Sequence, residues 1–187
     1  MSRKIVPAIM LSLLIVSMLT LAFKTQIVRA DVGTIYINAD GSMTPSTAPI
    51  YTADNITYTL TGNLYITANA AGIMIDRGDI VLDGAGYTVT GNGTTNEGII
   101  LGAMNVTVNK LSVTNCVDGI VIADTGNNTL SGNNVNANID EDGIDISAYS
   151  SNNTISENNI TNNLLGIYLA FYCSGNSIIG NSVTANN

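Results

Sequence analysis

The stretch 143–163 reads GIDISAYSSNNTISENNITNN and contains two patterns side by side. Apolar residues alternate with other residues, as at Ile144 and Ile146, and a period of two is typical of β-strands. Six asparagines stand in three adjacent pairs around the isoleucines, although asparagine is a poor strand former and a poor core residue. The stretch therefore predicts short strands separated by sharp turns.

This stretch is one copy of an internal repeat. Similar stretches begin at Gly119 and Gly166, 24 residues before and 23 residues after Gly143, and weaker copies begin at Gly98 and Gly72. A unit of this length cannot bury its apolar face alone, whereas stacked units shield one another and pair their strands in parallel. The sequence predicts an all-β protein, a right-handed parallel β-helix of about five coils. A leucine-rich repeat would need a leucine consensus that is absent, and a β-sandwich would give no reason for a fixed period.

The asparagines repeat with the same period. Stacked coils place equivalent positions about 4.8 Å apart, where side-chain amides can hydrogen-bond in a ladder. Asparagine also tolerates the left-handed backbone of a sharp bend. We expect each asparagine of these columns both to make a bend and to link it to the next coil. The three columns are Asn128, Asn153 and Asn176; Asn133, Asn158 and Asn181; and Asn138, Asn163 and Asn186.

The first thirty residues predict export. Arg3 and Lys4 precede an apolar run over 5–23, and Ala30 ends a small-residue cleavage motif, which together are typical of a signal peptide. The run is also long enough to stay as an uncleaved membrane anchor. We expect a signal peptide or anchor at 1–30, an N-terminal cap region at 31–71 and β-helix repeats at 72–187. The repeats stop without a capping element, so we expect the C-terminus to be truncated.

The net charge of the chain beyond residue 30 limits the binding partners that can be expected. Beyond residue 30, Arg77 and Lys110 stand against 14 acidic residues, a formal charge of −12. A nucleic-acid partner is not expected, because phosphate binding needs lysine and arginine. Polysaccharides or cell-surface glycans stay open as partners, and a membrane would be contacted only through an uncleaved N-terminal segment.

The repeats and the segments before them resemble one known family. The stretches GIYLA (166–170) and GNSIIGNSVTANN (175–187), together with DIVLDGAGYTVTG (79–91), resemble NosD-like proteins with carbohydrate-binding and sugar-hydrolase β-helix repeats. The resemblance covers 33–187 and implies an exported β-helix. It also implies a link to copper, whose sites use Cys, Met and His. The chain has no histidine, and Cys116 and Cys173 differ in phase, so neither a copper site nor a disulfide is expected.

Three functions remain open. The first is an exported cell-surface protein, structural or carbohydrate-binding, without its own catalysis. The second is a fragment of a polysaccharide lyase or hydrolase, and the third is NosD-like copper delivery. No cofactor is expected, apart from calcium at a weak site.

The candidate metal site lies in the acidic run 140–145. Asp118 and Asp142 each directly precede a repeat glycine, so they are expected to stack one coil apart. With Asp140 they offer the oxygen ligands that calcium prefers. The alternative is a solvated turn.

The candidate ligand surface is aromatic. Tyr149, Tyr168 and Tyr172 cluster in the last two repeats, and sugars stack on aromatic rings. Tyr168, Asp145 and Val121 share one phase and alternate with inward residues, so we expect them to form an outward row. An ordinary exposed strand face is the alternative.

Six asparagines fit the N-glycosylation pattern Asn-x-Ser/Thr. Either they carry glycans at the surface, or they arise from a repeat rich in Asn and Thr. They are Asn55, Asn92, Asn105, Asn127, Asn152 and Asn159.

Overall fold

The computed structural model describes residues 30–66, 70–93, 97–138 and 141–187. Within these ranges the chain forms short β-strands and no helix, and therefore no helix that could cross a membrane. The strands pair into three seven-stranded sheets, which we call A, B and C in the order in which each coil passes through them. Residues 1–29 of the predicted signal peptide lie outside the described residues.

Each coil contributes one strand to each sheet, and each sheet also contains one further short strand. Sheet A contains β2 (Ile35–Ile37), β3 (Met43–Thr44), β7 (Ile73–Ile75), β10 (Ile99–Leu101), β13 (Ile120–Ala123), β16 (Asp142–Ser147) and β19 (Leu165–Leu169). Sheet B contains β4 (Ile50–Tyr51), β5 (Thr57–Leu60), β8 (Ile80–Asp83), β11 (Val106–Asn109), β14 (Thr129–Ser131), β17 (Thr154–Ser156) and β20 (Ser177–Ile179). Sheet C contains β1 (Ala30–Val32), β6 (Leu64–Ile66), β9 (Thr88–Thr90), β12 (Ser112–Thr114), β15 (Asn134–Asn136), β18 (Asn159–Thr161) and β21 (Ser182–Thr184).

The pairing is parallel through the repeats and keeps the repeat register. Ile120 pairs with Ile144, and Ile144 pairs with Ile167 in the next coil. The short strands β3 and β4 pair antiparallel with β2 and β5. The predicted parallel β-helix of about five coils is confirmed. Strands β2, β5 and β6, from the region predicted as a cap, pair with β7, β8 and β9 and so build the first coil.

The core is a column of apolar side chains inside the three sheets. In β13, Ile120 and Ile122 are fully buried, whereas Val121 between them is half-buried on the outer face. The same alternation recurs from coil to coil, so each coil covers the apolar side chains of its neighbour. At the open end of the last coil the inward residues Ile178 and Val183 are exposed.

The repeat glycines have a steric cause. A Cβ on Gly119 would collide with the carbonyl oxygen of Gly143, and one on Gly143 would approach the carbonyl oxygen of Gly166 too closely. The glycines stack at the corner where sheet C leads into sheet A, and the backbones there approach more closely than a side chain allows. Glycine is therefore required at this phase of the repeat.

The predicted asparagine ladders are present, except that the buried Nδ2 of Asn128 has no hydrogen-bond partner among the described residues. The Nδ2 of Asn133 donates to the Oδ1 of Asn158 at 3.0 Å, and the Nδ2 of Asn158 donates to the Oδ1 of Asn181 at 2.9 Å. The backbone N–H of Asn133 also donates to the Oδ1 of Asn158, at 2.9 Å. Asn158 is buried, so these bonds satisfy polar groups that would otherwise be costly in the core.

The ladder asparagines do not make the bends, and the prediction that one residue does both was wrong. The left-handed backbone belongs to the preceding residue: Asn127 has φ 57° before Asn128, and Asn152 has φ 60° before Asn153. Asn127 and Asn152 are exposed, whereas Asn128 and Asn153 are buried. The first asparagine of each pair makes the bend and its side chain is exposed. The second places its side-chain amide in the interior, because one side chain cannot be both exposed at the bend and buried in the ladder.

Candidate functional site

From the second coil onwards, the connections from sheet A to sheet B lengthen along the protein. We call their position the AB corner and bound it by pairing register, so that it includes Ala123 and Ser147 at the ends of β13 and β16. It comprises residues 76–79, 102–105, 123–127, 147–152 and 170–175. Their lengths are four, four, five, six and six residues, although the strands on both sides stay in register. In solenoids such insertions collect on one face, which is often the binding face.

The third residue of each six-residue connection is a tyrosine. The backbone N–H of Thr125 donates to the Oγ of Ser150, so these two residues occupy equivalent places, and Ala148 and Tyr149 stand where the preceding coil has only Asp124. In the next coil Tyr172 follows Phe171 in the same way, because the N–H of Tyr149 donates to the carbonyl of Phe171 at 2.9 Å. The insertions therefore place one tyrosine above the other.

The two tyrosine rings stack at the surface. Their centroids lie 5.2 Å apart with an interplanar angle of 13°, and Tyr149 and Tyr172 are 68% and 80% exposed. Both residues have positive φ angles, 61° and 65°, a conformation that is unfavourable for bulky side chains. Exposed aromatic rings held in strained backbone do not serve core packing, and such strain is often found at functional sites.

A groove of about 270 Å³ opens beside Tyr149. We call it the aromatic groove. Tyr172 packs on one face of the Tyr149 ring, and Tyr149 also lines the groove. Among the described residues, the exposed side-chain amides of Asn127 and Asn152 have no hydrogen-bond partner. The groove is lined by Met104, Asp124, Thr125, Gly126, Asn127, Tyr149, Ser151 and Asn152.

A second cavity, of about 540 Å³, lies further along the same corner. We call it the acidic groove. Arg77 lies in its lining, and its Nε and Nη1 donate to the backbone carbonyls of Asn55 and Ala39, each at 3.1 Å. The other lining residues are Ala39, Ile56, Asp76, Gly78 and Asp79.

The predicted outward row is present on sheet A. Val121 pairs with Asp145 and Asp145 pairs with Tyr168, and all three side chains are half-buried. Burial raises the pKa of Asp145, whose Oδ2 accepts a hydrogen bond from the Oγ of Ser147 at 3.1 Å. None of the three lines either groove. The sequence grouped this row with Tyr149 and Tyr172, whereas in the structure the tyrosine pair forms a separate feature at the corner.

The predicted carboxylate pair also stacks as expected. The backbone N–H of Asp142 donates to the Oδ1 of Asp118 at 2.8 Å, and the two residues are only 8% and 9% exposed. Burial raises the pKa of each carboxyl to about 6. For Asp142 the nearby Asp118 and Asp145 add to the rise, and its Oδ1 has no hydrogen-bond partner within the described ranges.

The geometry assigns no metal to this pair. Two carboxylates are fewer ligands than the six to eight oxygens that calcium takes. In the part of the chain that the structure describes, no group of three or more His, Cys, Asp or Glu residues could hold a metal ion. Asp140, the third predicted ligand, lies outside the described residues, so the calcium site stays a prediction.

Comparison with known proteins identifies the family. The family model described as periplasmic copper-binding protein (NosD) matches residues 20–187. The chain belongs to the NosD family. No curated protein and no solved structure matches it. The family membership confirms the resemblance seen in the repeats and, because the family is described as periplasmic, is consistent with an exported protein.

The histidine and cysteine content of this NosD-family chain does not fit a copper site. Histidine is absent from the sequence. Cys116 is fully buried, and burial raises the pKa of its thiol to about 12, which disfavours the thiolate that binds metals. Cys173 lies at the AB corner, where its Sγ donates to the carbonyl of Ala170 at 3.0 Å. The two cysteines are free thiols at different corners, so they do not form a soft-ligand site.

Four of the six predicted glycosylation asparagines share one column, three of them at the AB corner and Asn55 at the equivalent place before β5. Each is exposed and has a φ angle between 55° and 60° at the bend before sheet B, and we call them, with the equivalent Asp79, the corner column: Asn55, Asp79, Asn105, Asn127 and Asn152. Asn92 and Asn159 are exposed elsewhere. Whether any of them carries a glycan stays a prediction.

Met104, Asp124 and Ser151 also line the aromatic groove and were not predicted from the sequence. One signal could have found them, since the unequal lengths of the AB corner can be read from the repeat alignment.

Proposed function

We propose that this NosD-family protein binds carbohydrate in the aromatic groove and does not turn it over. The observation that supports this proposal is the stacked pair of Tyr149 and Tyr172, exposed in an insertion that the β-helix does not need. Export and a cell-surface location complete the proposal, since a surface glycan is then within reach.

The groove offers the two kinds of contact that sugars use. The exposed ring of Tyr149 can stack on the apolar C–H face of a sugar ring, and Met104, 53% exposed, supplies a second apolar surface across the groove. The amides of Asn127 and Asn152 provide donors and acceptors for hydroxyl groups. An apolar wall with a few convergent polar groups is typical of small-ligand sites.

The number of carboxylates in the aromatic groove favours binding without hydrolysis. Glycoside hydrolysis by the common mechanisms needs two carboxyl groups that flank the scissile bond. Asp124 is the single carboxylate among the described residues that line the aromatic groove. The groove therefore has a polar contact for a sugar but not the acid and base pair of a hydrolase.

A glycan array followed by calorimetry tests the proposal. We expect the wild-type protein to bind a subset of glycans and Tyr149→Ala to weaken binding by about tenfold, a loss of roughly 1.4 kcal/mol. Tyr149→Phe keeps the ring and should keep most of the affinity. Tyr51→Ala removes another exposed tyrosine, 62% exposed on β4, as the control. An array without any bound glycan, or equal affinities for wild type and Tyr149→Ala, would contradict the proposal.

Turnover is tested on the glycans that bind. We expect no new reducing ends and no unsaturated products after long incubation. The appearance of either product would favour the lyase or hydrolase alternative.

A further inference from the structure

We propose that the ligand site runs beyond the aromatic groove along the AB corner into the acidic groove, and that it takes an extended oligosaccharide bearing amino groups. This inference rests on the proposed carbohydrate binding and adds to it the length and the charge of the ligand.

The two grooves adjoin. The backbone N–H of Asp79, in the acidic groove, donates to the carbonyl of Met104 at 3.2 Å. Gly78 also lies against Met104, since a Cβ on this glycine would meet its carbonyl oxygen at 2.7 Å. Met104 lines the aromatic groove. A ligand that leaves the aromatic groove over Met104 therefore reaches the acidic groove within one coil.

Polar groups repeat along this path. Asp79, Asn105, Asn127 and Asn152 occupy equivalent places in successive coils, and one coil advances about 4.8 Å along the axis. This step is comparable to the length of one pyranose unit in an extended glycan. The Nδ2 of Asn105 donates to the Oδ1 of Asp79 at 2.9 Å, while Asn127 and Asn152 keep their amides for a ligand. A chain parallel to the axis would meet one polar side chain of this column per sugar unit.

The charge of the corner selects among such chains. Asp76, Asp79 and Asp124 are exposed carboxylates in the two grooves. Arg77 is the single cation in their described linings, and two backbone carbonyls already accept hydrogen bonds from its guanidinium. The excess of negative charge attracts amino groups and repels uronate groups. The order of affinity should therefore be amino sugar first, neutral sugar second and uronate last.

Calorimetry with oligosaccharides of defined length and charge tests both the length of the site and its preference for amino groups. The probes are a glucosamine hexasaccharide and disaccharide, the N-acetylated hexasaccharide and a galacturonate hexasaccharide. We expect the glucosamine hexasaccharide to bind at least about tenfold more tightly than the disaccharide, an increment of roughly 1.4 kcal/mol. High salt should bring the glucosamine and N-acetylated hexasaccharides closer in affinity, because exposed charges are screened.

Two variants separate the ends of the site. Asp79→Asn should weaken the glucosamine hexasaccharide and leave the disaccharide unchanged, whereas Tyr149→Ala should weaken both. Asp83→Asn is the matched control, because Asp83 lies at the opposite end of β8 and pairs with Lys110 at 3.5 Å. Circular dichroism checks that each variant is folded.

The outcomes are distinct. Equal affinity for the disaccharide and the hexasaccharide, or no effect of Asp79→Asn on the hexasaccharide, would overturn the extended site and leave the proposed function standing. Galacturonate binding as tight as glucosamine binding would overturn the charge selection. Absence of binding by every probe, together with an array that shows no bound glycan, would overturn the proposed function itself.

Discussion

Replacing Asp142 by asparagine should stabilise the protein at neutral pH. The Asp142 side chain lies one coil from Asp118, is 8% exposed and has an unpartnered Oδ1 among the described residues. An ionised carboxylate is costly in such a place, because burial and a like charge both disfavour it. Asparagine has nearly the same shape, carries no charge and resembles the residues that form the neighbouring ladders.

The magnitude follows from the pKa of this carboxyl, which burial raises from 3.8 to about 6. The folded protein then holds the proton more tightly than the unfolded chain, so stability that is present near pH 4 is lost as the pH rises through about 6. A shift of roughly two units corresponds to at most about 3 kcal/mol. The other charged groups that face the pair, Glu97, Glu141 and Asp145, are all acidic and act in the same direction.

We expect Asp142→Asn to gain about 1–3 kcal/mol at neutral pH, or a few degrees to about 10 °C in melting temperature for a domain of this size. The measurement is urea and thermal unfolding of both proteins between about pH 4 and pH 7.5, in a buffer with a chelator. The gain should be small at the acidic end and should grow with pH, since the wild-type penalty appears only on ionisation. Asp124→Asn, at an exposed carboxylate, is the control for net charge. A variant that is less stable at pH 7.5, or a gain that does not depend on pH, would refute the reasoning.

Three further predictions concern the ladder, the glycine column and the glycosylation pattern. Asn158→Ala should cost about 2–4 kcal/mol in denaturant unfolding, because it leaves buried partners without hydrogen bonds, whereas Asn159→Ala on the exposed face should cost much less; similar losses would contradict a structural ladder. Gly119→Ala should prevent folding or lower the melting temperature sharply, because its Cβ would meet backbone, while Gly33→Ala, which has open space around it, should fold normally; a Gly119→Ala protein with unchanged melting temperature would contradict the close stacking. A glycan attached at Asn152 in a glycosylating host should block sugar binding in the aromatic groove, and enzymatic deglycosylation should restore it; binding by the glycosylated protein would contradict this position for the site.

The repeat in the sequence was sufficient to predict the coils and their register. Equivalent residues such as Leu130, Ile155 and Ile178 pair in adjacent strands as their spacing required. This success has a physical basis. A one-residue slip would turn every inward side chain outward, so the alternation in each strand leaves a single acceptable pairing.

The binding surface could be predicted only in part. Val121, Asp145 and Tyr168 were correctly placed in one row because strand phase decides which way their side chains point. Tyr149 lies in a turn, where the alternation of a strand no longer determines which way a side chain points. Its contact with Tyr172 depends on connections of equal length in two successive coils. The different roles of the two asparagines in each pair could not be predicted for a similar reason. The two residues are identical in the sequence, and only the backbone conformation shows that the first makes the bend and the second joins the ladder.

The ladders explain how the AB corner can vary without harm to the fold. Asn153 follows the insertion that contains Tyr149, and it accepts a hydrogen bond from the N–H of Asn128 in the preceding coil at 2.9 Å. It also donates to the Oδ1 of Asn176 at 3.0 Å. Whatever the length of the connection before it, this amide returns the chain to register at the start of sheet B. The corner can therefore gain exposed residues while the sheets stay fixed, and this freedom makes it the part of the coil best suited to carry a binding site.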